Sequence, residues 1–305
     1  MLAIIIPYYK LAFFEETIQS LVSQTDKRFK VYIGDDASPE NPTGLLNKFR
    51  DKLDFEYHRF ETNLGAVSLT KQWERCIALS NNEEWLMILG DDDYLENNVV
   101  ESFYKHLENF QNKTNVVRFA SKIFRQESDV YSKLYTHPQW EKASDSYFRK
   151  FQLLTMSSLS EYIFKRESYV HFHFNDFPLA WYADDMAWLE FSNKKLIYTI
   201  NEAVVVFRLS NCNISGKEDN LKDKENARFL FFNKLINSEL CCFDSFQKQK
   251  IILEFGITSI QQNRVDLSVF TSIVFKLFKN ASFYALAKFF RRLVLAKFKE
   301  LKNAI

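Results

Sequence analysis

The sequence predicts an α/β domain with a largely parallel sheet covered by helices on both faces. Two observations predict it. Short apolar runs alternate with stretches of helical periodicity, and acidic clusters follow two of the runs, at Gly34-Asp35-Asp36 and Gly90-Asp91-Asp92-Asp93. In sheets of this kind ligands collect at the C-terminal ends of strands, near a switch in strand order.

Element by element, Leu2 to Ile6 reads as a short apolar strand, and Phe14, Ile18, Leu21 and Val22 share one helical face. Phe29 to Ile33 is a second strand and completes a βαβ unit. A helix is expected near Thr43 to Lys52, a strand at Phe55 to Arg59, and a helix whose stripe is Leu69, Trp73, Cys76 and Ile77. Trp85 to Leu89 has no polar alternation, as a strand buried on both faces requires, and it runs straight into three aspartates.

A chain of 305 residues, 47% hydrophobic and 26% charged, can bury a full core and still carry an appendage. The expected division is residues 1–216, in halves 1–110 and 111–216, followed by a helical region over 217–305. Cys76, Cys212, Cys241 and Cys242 have neither metal-ligand nor disulfide spacing. The apolar start has no basic flank and stops at Pro7, unlike a secretory leader. A reducing cytoplasm is the expected compartment. No stretch approaches the roughly 20 apolar residues of a membrane span.

From Thr271 to Ile305 there are eight Lys or Arg and one acid, Glu300, so this tail carries +7 and the rest of the chain −6. Leu286, Phe289, Phe290, Leu293 and Val294 form an apolar stripe there, with Lys288, Arg291, Arg292, Lys299 and Lys302 around it. Two readings stand: a helix lying on a membrane surface, or one packed on its own domain or in a homodimer. Nucleic acid is not an expected partner, because the basic residues are confined to the tail and no recognition motif accompanies them.

Three adjacent carboxylates after a buried strand are either a solvated acidic turn or a site for a hard divalent ion, Mg²⁺ or Mn²⁺, which would also hold the phosphates of a nucleotide. The first strand leads into Pro7-Tyr8-Tyr9-Lys10, without the glycine-rich turn of a dinucleotide-binding domain, and no Walker loop is present.

Several segments together resemble glycosyltransferase family 2, an inverting family with the GT-A fold. Ile4-Ile5-Ile6-Pro7-Tyr8-Tyr9 resembles its opening strand, with Lys10 in place of the usual Asn. Ser20-Leu21-Val22-Ser23-Gln24-Thr25 resembles its first helix end, and Asp35-Asp36-Ala37-Ser38 its "Asp, Asp, Gly, Ser" turn. Asn63-Leu64-Gly65 is similar to its Asn-x-Gly, and Gly90-Asp91-Asp92-Asp93 stands at its metal-binding element. The resemblance implies that Pro7, Tyr9 and Asp36 line the base pocket, that Asp91 faces the donor ribose, and that Asp92 holds the metal, with Asp93 able to exchange roles. Asn63 is either a donor-site residue or a shaper of the turn.

Ala183-Asp184-Asp185 is similar to the family's "Glu-Asp" element, with Asp184 at the Glu position and Asp185 at the general-base position; simple helix capping is the alternative. Val204 to Arg208 with Ser215 resembles the closing strand, with Ser210 where His is usual. Arg208 then binds the diphosphate or forms a structural ion pair. Gln126 to Ser146, with Tyr131, Tyr135, His137 and Trp140, reads as an acceptor-side loop or lid, and Trp181 and Tyr182 as sugar contacts. His171 and His173 read as packing or solvated residues on a strand or loop.

The implied function is metal-dependent, inverting transfer of a sugar from a UDP-type nucleotide donor to a saccharide or lipid-linked hydroxyl, in polysaccharide, lipopolysaccharide or capsule synthesis. The competing readings are a nucleotidyltransferase that makes sugar nucleotides and a non-catalytic binding subunit.

Overall fold

The structure is a computed structural model that describes residues 1–303 apart from Ser215, Lys217, Glu218 and Ala281, with side chains described to residue 298. Two compact units divide between Asn220 and Leu221.

In the first unit the elements are β1 (Leu2–Tyr8), α1 (Phe14–Val22), β2 (Phe29–Asp35), α2 (Thr43–Asn47), β3 (Phe55–Arg59), α3 (Leu69–Ile77), β4 (Trp85–Ile88), β5 (Tyr94–Leu95) and α4 (Val99–Phe110). They continue with β6 (Val116–Arg125), β7 (Val130–Tyr131), β8 (Trp140–Lys142), α5 (Ala143–Phe151), β9 (Tyr162–Lys165), α6 (Arg166–Phe172), α7 (Ala183–Phe191) and β10 (Leu196–Leu209). The sheet order is β3-β2-β1-β4-β9-β6-β10-β5, with β7 on β6 and β8 on β10. The first four strands are parallel, and β9 runs antiparallel between β4 and β6.

Burial explains the apolar runs. Leu2 to Ile6 are fully buried in β1, with helices packed on both faces of the sheet. α1 buries Phe14, Ile18 and Leu21, and α4 buries Val99, Val100, Phe103 and Phe110. Trp85 of β4 meets Phe103 and Phe110 edge-on at centroid separations of 5.7 and 5.5 Å. Burying one such ring is worth about 1.5–3 kcal/mol, so this cluster fixes the strand that carries the aspartates.

Two expectations about local structure are corrected. α2 ends at Asn47, because the chain tightens into turns whose N–H groups bond three residues back, Lys48 to Leu45 and Lys52 to Phe49, while Phe49 and Leu53 turn into the core. Gln126 to Ser146 is no lid: β7 pairs with β6, Tyr135 bridges to Ser121, β8 pairs with β10, and α5 begins at Ala143. His137 is buried there, and Trp140 packs on Tyr198 at 4.6 Å.

In the second unit α8 (Leu221–Lys234) passes into a π-helical turn, followed by α9 (Ser245–Gln261), α10 (Leu267–Lys279) and α11 (Phe283–Asn303). A capping box of Asp244 and Gln247 starts α9, and the Asp266 carboxylate caps α10 by accepting from Val269 N–H at 2.7 Å. Gly256 lets α11 approach: a Cβ there would lie 2.7 Å from the Phe289 ring. The predicted stripe on α11 divides, with Phe289 fully buried and Phe290 and Val294 exposed. The side chains of Lys299 and Lys302 lie outside the described residues. Among the described residues, no helix is long and apolar enough to cross a membrane.

Candidate active site

The order β3-β2-β1-β4 places the switch point between β1 and β4, and both acidic segments open onto it. The Asp91 carboxylate accepts from the N–H groups of Tyr9 and Lys10 at 2.7 and 2.8 Å, stitching the ends of β1 and β4 together. The Thr17 hydroxyl reaches the carbonyls of Asp91 and Asp93 from α1, at 3.1 and 2.7 Å. Asp93 is buried, and both its oxygens are taken, one by the Ser160 hydroxyl at 2.5 Å and the other by Arg208 N–H at 2.8 Å.

Asp92, like Asp91, is half-buried. A hydrogen bond from the Asn213 side chain reaches it, and Lys10 and Arg208 supply positive charge. Burial raises all three carboxyls above their usual range, Asp91 to about 7, and Asp92 pushes its two neighbours further up. No group of three or more His, Cys, Asp or Glu side chains that could hold a metal ion occurs among the described residues. The half-buried carboxylates of this loop that could meet a cation are Asp92 and, through its second oxygen, Asp91.

Asp36 and the Asn63-Leu64-Gly65 turn form one device. The Asp36 carboxylate accepts from Leu64 N–H at 2.7 Å and Gly65 N–H at 2.9 Å, and Arg75 pairs with it. Burial raises the Asp36 carboxyl. A Cβ on residue 65 would fall on Asp36 Oδ2, so only glycine permits this approach. Asn63 shapes the turn, its Oδ1 accepting from Ala66 N–H at 2.9 Å. Asp35 is fully buried and bound by Tyr57, Arg59 and Ser38 N–H. Ala37 takes φ 52°, a left-handed conformation that glycine would adopt freely. Pro7 is half-buried in register with Gly34, and Tyr9 is 37% exposed at the mouth of the crevice.

Arg208 departs from the expected diphosphate contact. Its side chain is 1% exposed, and its guanidinium donates to the Asp92 carbonyl at 2.9 Å, to Gln126 and to Glu16. Phe13 lies 4.4 Å from it, with Phe124 and Tyr94 also within reach. The guanidinium is a strut that ties α1, β6 and the aspartate loop to β10. Ser210 is buried, and Ser215 lies outside the described residues.

Asp184 and Asp185 open α7, and the chain enters that helix through Leu179, Ala180 and Tyr182, all at positive φ without a glycine among them. Such strain persists only where surrounding structure enforces it, and it concentrates at functional sites. Asp185 is 4% exposed, and Lys150 Nζ donates to both its oxygens at 2.7 and 2.8 Å. Burial pushes its carboxyl up to about 7, with Asp184 adding to the rise and Lys150 opposing it. That value suits a general base, but the side chain points into a tight recess among Tyr147, Ser157, Tyr162 and Trp188. Asp184, in the same first turn, is half-exposed. Trp181 and Tyr182 precede this pair with Ala183 between, at 6.4 Å between ring centroids.

His171 and His173 are exposed on α6 and at its end, not on a strand. Sequence reasoning missed Lys150 and Ser160, for which no local signal exists. Lys10 was visible only as a departure from the usual Asn. Its Nζ now donates to the Cys212 carbonyl beside Asp92.

This architecture, a parallel first half with an acidic loop at its switch point followed by a mixed second half, is the GT-A fold. The chain belongs to glycosyltransferase family 2: the family's model, described as "Glycosyl transferase family 2", matches residues 3–187. S. aureus TarS 1-349 in complex with UDP-GlcNAc is similar in structure, with a TM-score of 0.64 at 16% identity over 99% of this chain and 92% of that one. The mannosyltransferase PcManGT from Pyrobaculum calidifontis, in complex with GDP-Man and Mn²⁺, has a TM-score of 0.58 at 13% identity over 98% and 86% of the two chains. No curated protein matches the chain by sequence.

Proposed function

We propose that this glycosyltransferase moves a sugar, with inversion and with a divalent ion, from a UDP-type donor to a hydroxyl of a saccharide or lipid-linked acceptor in cell-surface polysaccharide synthesis. The observation that carries the reading is Asp92: at the switch point, both oxygens of Asp93 and one oxygen of Asp91 are engaged in holding the loop, while Asp92 is half-buried beside Lys10. A hard ion such as Mg²⁺ or Mn²⁺ is commonly held by one or two carboxylates plus substrate phosphates, and this loop presents Asp92 with the second oxygen of Asp91 beside it. Nucleotide-sugar complexes of the similar structures, one of them with Mn²⁺, support that donor class. When bound, the ion would neutralise charge on the departing nucleoside diphosphate.

Each remaining role falls to a side chain of this protein. Pro7, Tyr9 and the Asp36–Gly65 turn border the nucleotide, and Asp91 keeps the β1 and β4 ends in place beneath it. Lys10, beside Asp91 and Asp92, takes the diphosphate contact first expected of Arg208. The acceptor oxygen attacks the anomeric carbon from the face opposite the diphosphate, the bond from that carbon to the phosphate oxygen breaks, and the hydroxyl proton passes to a carboxylate. We assign that base to Asp184, the open member of the pair, with Asp185 and Lys150 anchoring the helix start. A nucleotidyltransferase is disfavoured by the absence of a glycine- and Arg/Lys-rich phosphate loop after β1.

A panel of UDP-, GDP-, CMP- and dTDP-sugars, assayed for binding and hydrolysis with and without Mn²⁺, tests the reading. Selective, metal-dependent turnover of a UDP-sugar is the expected result. No binding to any donor would leave the non-catalytic subunit instead.

A further inference from the structure

The second unit carries an apolar face that its own helices leave uncovered. On α10, Ile273 and Leu277 are buried, while Phe275 and Phe278 are 65% and 64% exposed. On α11, Ala285 and Phe289 are buried, whereas Phe283, Phe290, Val294 and Phe298 are exposed. The spacing of those four puts them on one helical stripe turned away from Phe289. Phe278 and Phe283 meet at 6.3 Å between ring centroids, so the stripes of the two helices join into one face. A surface helix ordinarily needs one apolar face, and α11 has two.

The charge around this face selects its occupant. Lys276, Lys279 and Arg291 border the aromatic residues, and the single acid between Thr271 and Ile305 is Glu300. A second copy docked by two-fold symmetry would set cations against cations across an apolar seam. An anionic lipid surface accepts both features at once, with rings entering the headgroup boundary and Lys and Arg meeting phosphates. None of the described helices can cross a bilayer, so the mode is a face lying on the surface.

We propose that the α10–α11 face docks the protein onto an anionic membrane surface. This goes beyond the transfer reaction and does not depend on its donor or acceptor.

Co-sedimentation of the full chain with phosphatidylcholine vesicles, and with vesicles that also contain phosphatidylglycerol, tests it at low and high salt. The expected result is binding to the anionic vesicles alone, weakened by salt. Phe275→Ser together with Phe298→Ser should weaken it more than about tenfold, and Arg291→Gln about fivefold. These side chains are exposed, so an unchanged far-ultraviolet circular dichroism spectrum checks that the variants fold. Absence of binding at low salt overturns the proposal, as does equal binding to both vesicle types. A lipid-free dimer abolished by the Phe substitutions, without vesicle binding, would instead assign the face to a second copy.

Discussion

Replacing Arg208 with Met separates a strut from a phosphate clamp. Methionine keeps much of the packing on Phe13 and removes every guanidinium donor, while the backbone N–H to Asp93 remains. Glu16 is 61% exposed at its side chain and rehydrates, so losing that pair costs about 0–1 kcal/mol. The Asp92 carbonyl loses its 2.9 Å partner in a part-buried setting, at a cost of about 1–3 kcal/mol. The cation over Phe13 at 4.4 Å adds roughly 0.5–1 kcal/mol. The sum is roughly 3 kcal/mol, which in a unit of this size lowers Tm by about 6–12 °C. Calorimetric unfolding of Arg208→Met beside the wild type measures it. An unchanged Tm with a donor KM raised tenfold or more would refute the argument and restore the diphosphate role.

Other outcomes follow from the same geometry. Asp184→Asn should lower kcat by about 10²–10⁴ with donor affinity retained, and Asp185→Asn should keep the larger part of the rate. Steady-state kinetics with the reverse pattern would return the base to Asp185. Asp92→Asn should abolish the Mn²⁺ dependence of donor binding, measured by calorimetric titration, whereas Ser160→Ala, which removes a partner of Asp93, should act on Tm first. Ala37→Gly relieves the Cβ of a left-handed residue, so denaturant titration should find it neutral to about 1 kcal/mol stabilising; a clear loss would argue against that backbone. His137 is buried beside Arg118 and Arg149, and burial first, then those cations, depress it from 6.5 to about 2. A depressed histidine contributes stability that is present above 6.5 and lost as pH falls below it, about 2 kcal/mol by pH 5. Tm measured from pH 7 to 5 should fall more steeply in the wild type than in His137→Gln, and parallel slopes would sink this account.

Periodicity and turn chemistry by themselves determined most of the strand–helix alternation of the first 95 residues, because β1, β2 and β4 are buried on both faces and α1 and α3 on one. They also located the aspartate loop, since a buried strand has to end where charge begins. The same residues could not say which carboxylate oxygens stay open. That choice depends on partners far along the chain: Tyr9 and Lys10 for Asp91, Ser160 and Arg208 for Asp93. Arg208 looked like a ligand residue locally, and only the tertiary structure encloses it with Glu16, Gln126 and three aromatic rings. The polar, aromatic stretch before Ser146 looked like a lid, yet strand pairing consumes it. On α11 the apolar stripe was legible, and its division into a packed face and an open one was not, because the position of α9 decides which side is covered. A local pattern specifies which groups must be buried or paired, and the fold alone specifies the partner, because partners distant in sequence become neighbours only once the sheet order is set.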